Sequence, residues 1–208
     1  DQNAERLPSD LYQHMSASDD PYEIASQIVR ASIQSMEDLM CVLDREQFNG
    51  AVNALLSAHR VGFYGVGDAA IVAESAYHKF SRMGTLCTSS NDPDIQLIQA
   101  SQLQKGDACV LISHSGRSRT TVNTARRARE MGATVISITN YPYSQLARLS
   151  DCVLTTASFM EHSGEVITKR ISELVLVEGL FISVMLRGGG AYQTALARSN
   201  EALVENKL

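Results

Sequence analysis

Residues 108–121 read ACVLISHSGRSRTT, an apolar run followed at once by a hydroxyl-rich turn. The run 108–112 is the most hydrophobic strand candidate in the chain, and its length suits a buried strand. The residues from 118 onward follow a helical period that stops near Gly132, a residue favoured after a helix C-terminus. The stretch therefore predicts a strand, a tight turn and a helix, which is the repeating unit of a parallel sheet.

The same unit recurs on both sides of this stretch. Strand candidates and helical periods alternate at intervals of roughly 20 to 25 residues, as expected for consecutive β-α-β units. The strands are continuous apolar runs, which is typical of a sheet with helices on both faces. We therefore predict an α/β fold, a three-layer α-β-α sandwich around a five-stranded parallel sheet of order 2-1-3-4-5. The predicted strands are 61–65, 85–88, 108–112, 133–138 and 152–155, and the predicted helices are 21–43, 46–58, 68–82, 94–101, 118–131, 143–149, 164–187 and 191–205.

The chain divides into a polar segment and one domain. Residues 1–20 are rich in Ser, Asp and other polar residues, and we expect a linker or tail left by a segment upstream, since the first residue is Asp1 and not Met. Asp20-Pro21 is a helix start, with Asp at the N-cap and Pro at the first helical position. The single domain is expected to span 21–208, with an N-terminal helix in 21–45, the core in 46–187 and a C-terminal helix in 188–208.

Composition excludes several classes of protein. The 208 residues are 44% hydrophobic and carry a formal net charge of −5. Because of this negative charge, the segment alone is poorly suited to binding the phosphate backbone of DNA or RNA. No apolar run reaches the roughly 18 to 20 residues of a membrane span, and no export signal opens the chain, so we expect a cytoplasmic protein without membrane contact. The four cysteines form no Cys-x-x-Cys pair and the five histidines show no ligand spacing, so we expect no metal site.

The first predicted strand ends in the sequence GVGDA (65–69), directly before a helix. The two glycines allow a tight turn and close backbone approach, and the helix N-terminus offers N–H groups to an anion. Asp68 equally suits a plain N-cap. A nicotinamide nucleotide is a weaker alternative, because Ala70 replaces the third glycine of that fingerprint and no acidic residue follows at the expected distance.

The third predicted strand is followed by SHSGRSRTT (113–121), with five hydroxyl side chains at a helix N-terminus. Hydroxyl and N–H groups together can hold a phosphate group, although an ordinary Ser-rich turn is the alternative. Arg117 and Arg119 are unfavourable beside a helix N-terminus unless an anion is bound nearby. Because strands 1 and 3 are neighbours in the predicted order, both loops are expected to meet in one crevice that suits a phosphorylated small molecule.

These motifs resemble the SIS (sugar isomerase) domain family. The match covers 46–187 and rests on GVG at 65–67 with the helix end KFSRMG at 79–84, on ISHSGRS at 112–118, and on ISITN at 136–140 with SQLA at 144–147. The Ser-x-Ser-Gly turn after a buried strand is the most specific of these motifs. The resemblance implies a flavodoxin-like, five-stranded sandwich that binds sugar phosphates, usually as a dimer or tetramer with shared sites.

Within that family the chain is most similar to the effector domains of RpiR-type (HexR-like) bacterial transcriptional regulators. The similarity rests on the linker and helix in 19–43, the loop LISHSGR at 111–117 and the helix segment VITKRIS at 166–172. It implies a ligand sensor of carbohydrate metabolism with no catalytic residues, no metal and no cofactor. The usual N-terminal helix-turn-helix domain is absent from this chain, so DNA contact is expected only through that missing domain.

The resemblance also implies which residues bind the ligand, a phosphorylated sugar or sugar acid. Ser113, Ser115 and Ser118 match the phosphate-binding hydroxyls of the family, whereas the first loop lacks the Ser or Thr that some relatives have there. Arg117 indicates an acidic or doubly charged ligand. Lys79 and Arg170 could add positive charge to the site. Each also suits a purely structural position, either a solvated helix residue or a member of an ion pair on a helix face. The full predicted set is Gly67, Asp68, Ala69, Lys79, Ser113, His114, Ser115, Arg117, Ser118, Glu165 and Arg170.

An aldose–ketose sugar-phosphate isomerase is the alternative function. Isomerisation needs a base near the two reacting carbons, usually His or Glu. Four residues near the expected mouth of the crevice could take that role: His78, His114, His162 and Glu165. A nicotinamide-dependent enzyme is the least favoured alternative.

Overall fold

Five short strands alternate with helices in the described part of the chain, as the sequence predicts. The computed structural model describes residues 20–157 and 165–206, with side chains described for 20–157 and 170–206. Residues 1–19, in which the sequence predicts a linker or tail, lie outside the described residues. The strands are β1 (Val61–Tyr64), β2 (Cys87–Ser90), β3 (Ala108–Ile112), β4 (Thr134–Thr139) and β5 (Cys152–Thr155). The helices are α1 (Pro21–Val42), α2 (Arg45–Ser57), α3 (Asp68–Arg82), α4 (Pro93–Ser101), α5 (Arg119–Glu130), α6 (Gln145–Leu149), α7 (Glu165–Arg187) and α8 (Gly190–Val204).

The strands form one parallel sheet in the order β2-β1-β3-β4-β5, which confirms the predicted topology. Val61 of β1 pairs with Cys87 of β2 on one side and with Ala108 of β3 on the other. All residues of β1 and β3 are buried, whereas the edge strand β2 is half-buried throughout. The central pair β1–β3 therefore places the carboxyl ends of two buried strands side by side.

Alternate residues of the strands enter two separate apolar layers. On one face Phe63 packs against Phe80 of α3, with ring centroids 5.1 Å apart, and Phe80 packs against Phe181 of α7 at 6.0 Å. On the other face Tyr64 and Leu111 lie in the smaller core beneath α4, α5 and α6. This division matches continuous apolar strands, because each face of the sheet needs its own apolar side chains.

The position of β2 corrects one prediction. The sequence predicts this strand at 85–88, where the apolar residues Leu86 and Cys87 stand, but the strand is Cys87–Ser90. Gly84 takes a positive φ of 82° at the end of α3, and the following residues carry the chain back to the sheet. Leu86 is 65% exposed, while its carbonyl accepts a hydrogen bond from the Val61 N–H. An edge strand needs less apolar cover than a central one, so its polar residues Thr88, Ser89 and Ser90 gave no apolar signal.

The four cysteines are all free thiols in this structure. Burial raises the pKa of the Cys87 thiol to about 12, and it also raises the pKa of the fully buried Cys109 thiol. Cys41 on α1 is exposed. The buried thiols are therefore protonated at neutral pH and serve as small apolar side chains.

Within the described ranges, no single helix has the length and apolar composition of a membrane span. The segment Arg170–Arg187 of α7 and the helix α8 meet that test only as a pair, which is bent by 117°.

Candidate functional site

Two loops meet at the carboxyl edge of the central strands. The first loop, 65–67, joins β1 to α3, and the second loop, 113–118, joins β3 to α5. Tyr64 at the end of β1 pairs with Leu111 near the end of β3, so the two loops leave the sheet next to each other. Both α3 and α5 begin at these loops, so the two helix N-termini lie at the carboxyl ends of neighbouring strands, as the predicted strand order requires.

The conformation of the first loop depends on its glycines. Gly67 has a φ of +59° and precedes the first residue of α3. A Cβ atom at Gly65 would lie only 2.6 Å from the carbonyl oxygen of Ala69, so the chain could not fold back this closely with a larger residue. The carbonyl of Gly65 accepts a hydrogen bond of 2.7 Å from the Nε2 of Gln96, a fully buried residue of α4. The first loop is therefore a tight turn that a buried side chain of α4 holds in place.

The second loop is held by the end of β4. The Ser113 N–H donates to the carbonyl of Ile138 at 3.0 Å, which extends the β3–β4 pairing by one residue. The carbonyl of His114 accepts hydrogen bonds from the Asn140 N–H and the Thr139 hydroxyl, both at 3.0 Å. Backbone bonds of this kind leave the loop little conformational freedom before any ligand binds.

Gly116 fits the second loop against the start of α6. It has a φ of +59°, and its carbonyl accepts a hydrogen bond from the Leu146 N–H at 3.1 Å. A Cβ atom at this position would lie 2.1 Å from the Oγ of Ser144 and 3.1 Å from the Oγ1 of Thr139. The Ser-x-Ser-Gly turn thus needs glycine at position 116 for two reasons: the positive φ, and the absence of room for a Cβ beside Ser144.

The helices that begin at the two loops lack the side-chain caps that other helices have. Gly67 precedes α3 and Ser118 precedes α5, and neither supplies a side-chain capping hydrogen bond. Gly189 before α8 also supplies none. The first N–H groups of α3 and α5 therefore have no side-chain cap from these residues, and an anion bound between the two loops can accept hydrogen bonds from them. Among the helix N-termini whose preceding residue the structure describes, four have a side-chain cap, supplied by Asp20, Asp44, Asp92 and Ser144.

The charges around the second loop favour an anion more clearly than those around the first. The first turn of α5 contains no acidic residue, and Arg117 and Arg119 are exposed beside it. The Arg117 N–H donates to the Ser115 Oγ at 3.3 Å. The first turn of α3 contains Asp68, which is exposed and opposes an anion there. The binding centre is therefore expected on the β3–α5 side of the crevice.

The structure brings most of the predicted binding residues together. Lys79 is an exception, because it lies eleven residues beyond Asp68, about 16 Å along α3. Its Nζ lies 2.5 Å from the carboxylate of Glu178 on α7 and 5.6 Å from the ring centroid of Phe181. This contact joins α3 to α7 and leaves Lys79 distant from both loops. The residues gathered at the two loops are Gly67, Asp68, Ala69, Ser113, His114, Ser115, Arg117 and Ser118.

Two predicted residues lie on α7. Arg170 forms an ion pair with Glu173, whose side chain is fully buried. Of the two alternatives that the sequence allowed, the ion pair on the helix face is therefore the one that the structure shows. Glu165 is the first residue of α7, but its side chain is outside the described part of the chain. His162, a candidate base for the isomerase alternative, also lies outside the described residues.

The match to known proteins agrees with this geometry. Residues 54–183 match the SIS domain. The chain belongs to the SIS domain family. An uncharacterized HTH-type transcriptional regulator of Caldanaerobacter subterraneus is 33% identical over 93% of this chain and 69% of that protein. The HTH-type transcriptional regulator HexR of Pseudomonas aeruginosa is 33% identical over 94% of this chain and 68% of its own length. This SIS domain is therefore homologous to those of HexR-type regulators.

Solved structures share the fold of this SIS domain. The NanR protein of Vibrio vulnificus, complexed with ManNAc-6P, superposes with a TM-score of 0.81 at 24% identity, covering 88% of this chain and 69% of that one. Phosphoheptose isomerase GmhA of Neisseria gonorrhoeae has a TM-score of 0.66 at 16% identity, covering 78% of this chain and 97% of that one. The fold thus occurs in an isomerase as well as in the NanR protein, and it does not by itself decide the function.

Sequence reasoning missed the contribution of the β4–α6 connection. Tyr141 lies edge-on to His114, with ring centroids 5.8 Å apart, and Ser144 packs against Gly116. These residues follow the carboxyl end of β4, and residues in that position often line the ligand site of such a sheet. Their position after the strand could therefore have indicated them from sequence. Among the residues described, no group of three or more His, Cys, Asp or Glu side chains could hold a metal ion.

The role of Gly116 can be tested against Gly132, because both have a positive φ, of 59° and 82°. Gly116→Ala and Gly132→Ala both incur backbone strain of about 1 to 2 kcal/mol. Only Gly116→Ala adds a steric clash, since a Cβ at Gly132 would make only ordinary contacts with Lys105, at 3.7 Å or more. We expect Gly116→Ala to lower the free energy of unfolding by a further 1 to 3 kcal/mol, roughly the cost of overpacking. Urea denaturation of both variants measures this difference, and equal losses would contradict the packing described.

The missing cap at Ser118 gives a second prediction. Ser144 accepts a capping hydrogen bond from the Ala147 N–H at 3.3 Å, whereas Ser118 makes no such bond. Ser144→Ala should therefore lower the free energy of unfolding by about 1 kcal/mol, and Ser118→Ala by less than about half of that. Thermal or urea denaturation without ligand measures both. A loss at Ser118 as large as that at Ser144 would show that Ser118 serves the fold rather than a ligand.

Proposed function

We propose that this SIS domain is the sugar-phosphate-binding effector domain of a transcriptional regulator of carbohydrate metabolism. The observation that carries the proposal is the meeting of two uncapped helix N-termini, those of α3 and α5, at the carboxyl ends of neighbouring strands. A phosphate group has several oxygens that accept hydrogen bonds and a charge that the two helix dipoles stabilise. It is therefore the ligand group that best suits this crevice.

The second loop supplies the side chains for phosphate binding. Ser113, Ser115 and Ser118 offer three hydroxyl groups beside the first N–H groups of α5, and Arg117 adds positive charge at the rim. The first loop contributes backbone N–H groups only, because Ala69 has no hydroxyl. The complex of NanR with ManNAc-6P is related in fold and supports this class of ligand.

A sensor needs binding but no turnover, and the similarity to transcriptional regulators favours that role. We propose that the domain is not catalytic. The aldose–ketose isomerase alternative needs a base at the reacting carbons. His78 does not suit this role, since it is exposed on α3 ten residues beyond Asp68, about 15 Å along the helix. An assay for isomerisation separates the two functions directly.

The partners follow from the same proposal. DNA is contacted through a separate helix-turn-helix domain, because a net charge of −5 does not suit direct binding of a phosphate backbone. The SIS domain, spanning 21–208, assembles as a dimer or tetramer and acts in the cytoplasm. Ligand binding then changes the arrangement of the DNA-binding domains on an operator.

The proposal is tested by a thermal-shift screen of phosphorylated sugars and sugar acids, each paired with its unphosphorylated parent. A ligand at 100 times its dissociation constant adds about 2.7 kcal/mol of apparent stability, which a melting curve detects. We expect a phosphorylated compound to raise the melting temperature and its parent to leave it unchanged. Ser115→Ala should weaken the affinity at least tenfold, while Ser57→Ala, on the exposed end of α2, should not change it.

Three results would contradict the proposal. If no phosphorylated compound in the panel raises the melting temperature, phosphorylated sugars and sugar acids are excluded as ligands. Equal shifts with a sugar and its phosphate show that the two loops do not recognise phosphate. Conversion of an aldose phosphate to a ketose phosphate by the purified protein makes it an isomerase rather than a sensor.

A further inference from the structure

Helix α1 presents a row of apolar side chains along its whole length. The members recur every three or four residues and lie within an arc of about 80°, at about 100° per residue. Five of the six are exposed, and the two end residues are 72% and 73% exposed. Neither the sequence motifs nor the phosphate-binding loops account for this apolar row. It consists of Tyr22, Ala25, Val29, Ile33, Met36 and Met40.

The contact of α1 with its own domain uses a different side of the helix. The buried residues of α1 are Ser32, Ser35 and Leu39, and the hydroxyl of Ser35 lies 2.7 Å from that of Ser172 on α7. This buried side is rotated by about 90° from the apolar row. Packing against α7 therefore does not explain the row, and an exposed apolar surface of this length marks an interaction site.

The exposed apolar surface continues on α7. Val175, Ile182 and Leu186 are exposed there, and Val175 lies one turn beyond Ser172, next to the contact with α1. The 22 residues of α1 give this surface a length of about 33 Å, and two packed helices give it a width of about 20 Å. Such an area is comparable to the roughly 800 Å² that each partner contributes to a stable interface.

Two charged residues on one border of the row favour a second copy of this chain as the partner. Arg30 and Glu37 are both exposed, and neither has an ion-pair partner among the described residues. In an antiparallel pair of α1 helices with a two-fold axis between positions 33 and 34, the two residues lie equally far from the axis. Each Arg30 then faces Glu37 of the partner subunit, so opposite charges meet twice while the apolar rows pack together.

We propose that the apolar row of α1 is the interface between two copies of this chain, which pair antiparallel with Arg30 of each copy against the partner's Glu37. The inference rests on the proposed function and deepens its assembly step, because it names the surface and the register of the pair.

The register also fixes the distance between the two starts of α1. Residue 21 of one copy lies 25 residue positions from residue 21 of the other along the pair, which is about 38 Å. The half-sites of dimeric helix-turn-helix proteins lie about 34 to 36 Å apart. The proposed function places a DNA-binding domain before α1 in each copy, and the α1 pair therefore holds two such domains about one turn of DNA apart.

Sedimentation velocity of the full chain over a range of concentrations tests the surface. We expect a dimer, and we expect Val29→Glu to raise its dissociation constant at least tenfold, because the change puts a carboxylate into an apolar interface. Ile98→Glu on α4 is the matched control, since Val29 and Ile98 are 58% and 57% exposed, and it should leave the constant unchanged. Far-UV circular dichroism and the melting temperature show whether both variants remain folded.

Charge reversal tests the register. Arg30→Glu and Glu37→Arg should each raise the dissociation constant at least fivefold, because each brings like charges together twice. The double variant should return to within threefold of the unaltered chain. The two residues lie seven positions, about 10 Å, apart on one helix, so the recovery cannot come from a contact within one copy. Nitroxide labels on the exposed Cys41 should lie about 20 to 25 Å apart in the antiparallel pair, against about 10 Å in a parallel one.

The outcomes separate this inference from the proposed function. A chain that is monomeric at every accessible concentration assigns the row to another partner and overturns both the inference and the assembly step, while ligand binding is decided by the thermal-shift screen alone. A dimer that Val29→Glu leaves intact uses another face, so the inference fails and the assembly step stands. A dimer that Val29→Glu dissociates but that the double charge reversal does not restore contradicts the antiparallel register.

Discussion

The parallel pairing of β1 with β3 is the constraint on which the site depends. Val61 pairs with Ala108 and Tyr64 with Leu111, so both strands end at the same height in the middle of the sheet. Because each strand runs directly into a helix, the N-termini of α3 and α5 are brought to one crevice with their first N–H groups unsatisfied by side chains. Strand order, glycine turns and absent caps thus combine in the anion-binding surface that we propose.

Support for that surface comes from outside the two loops. The end of β4 holds the second loop through the carbonyl of His114, and Ser144 fills the space that Gly116 leaves. On the other side, Gln96 joins the first loop to the end of β2. Both loops are therefore held by contacts from neighbouring elements of the sheet edge.

The sequence predicted what depends on local pattern and missed what depends on packing. Apolar runs and helix starts were sufficient for the alternation of strands and helices and for the motif at 113–118, which the structure places at the carboxyl edge. The strand order came from the doubly wound fold class that this alternation indicates. The edge strand was displaced by two residues, because its polar residues Thr88 to Ser90 carry no apolar signal. Lys79 could not be assigned from sequence, since its partner Glu178 is ninety-nine positions further along the chain.

The most direct test of the account is an amide NMR titration of the protein with inorganic phosphate. We predict that the backbone N–H signals at the start of α3 and at the start of α5 shift together, with one dissociation constant, while those at the capped N-termini of α2 and α4 do not move. That result would show that both helices bind one anion. Shifts at only one of the two helices, or no shift at either, would contradict the claim that β1 and β3 build a single phosphate site.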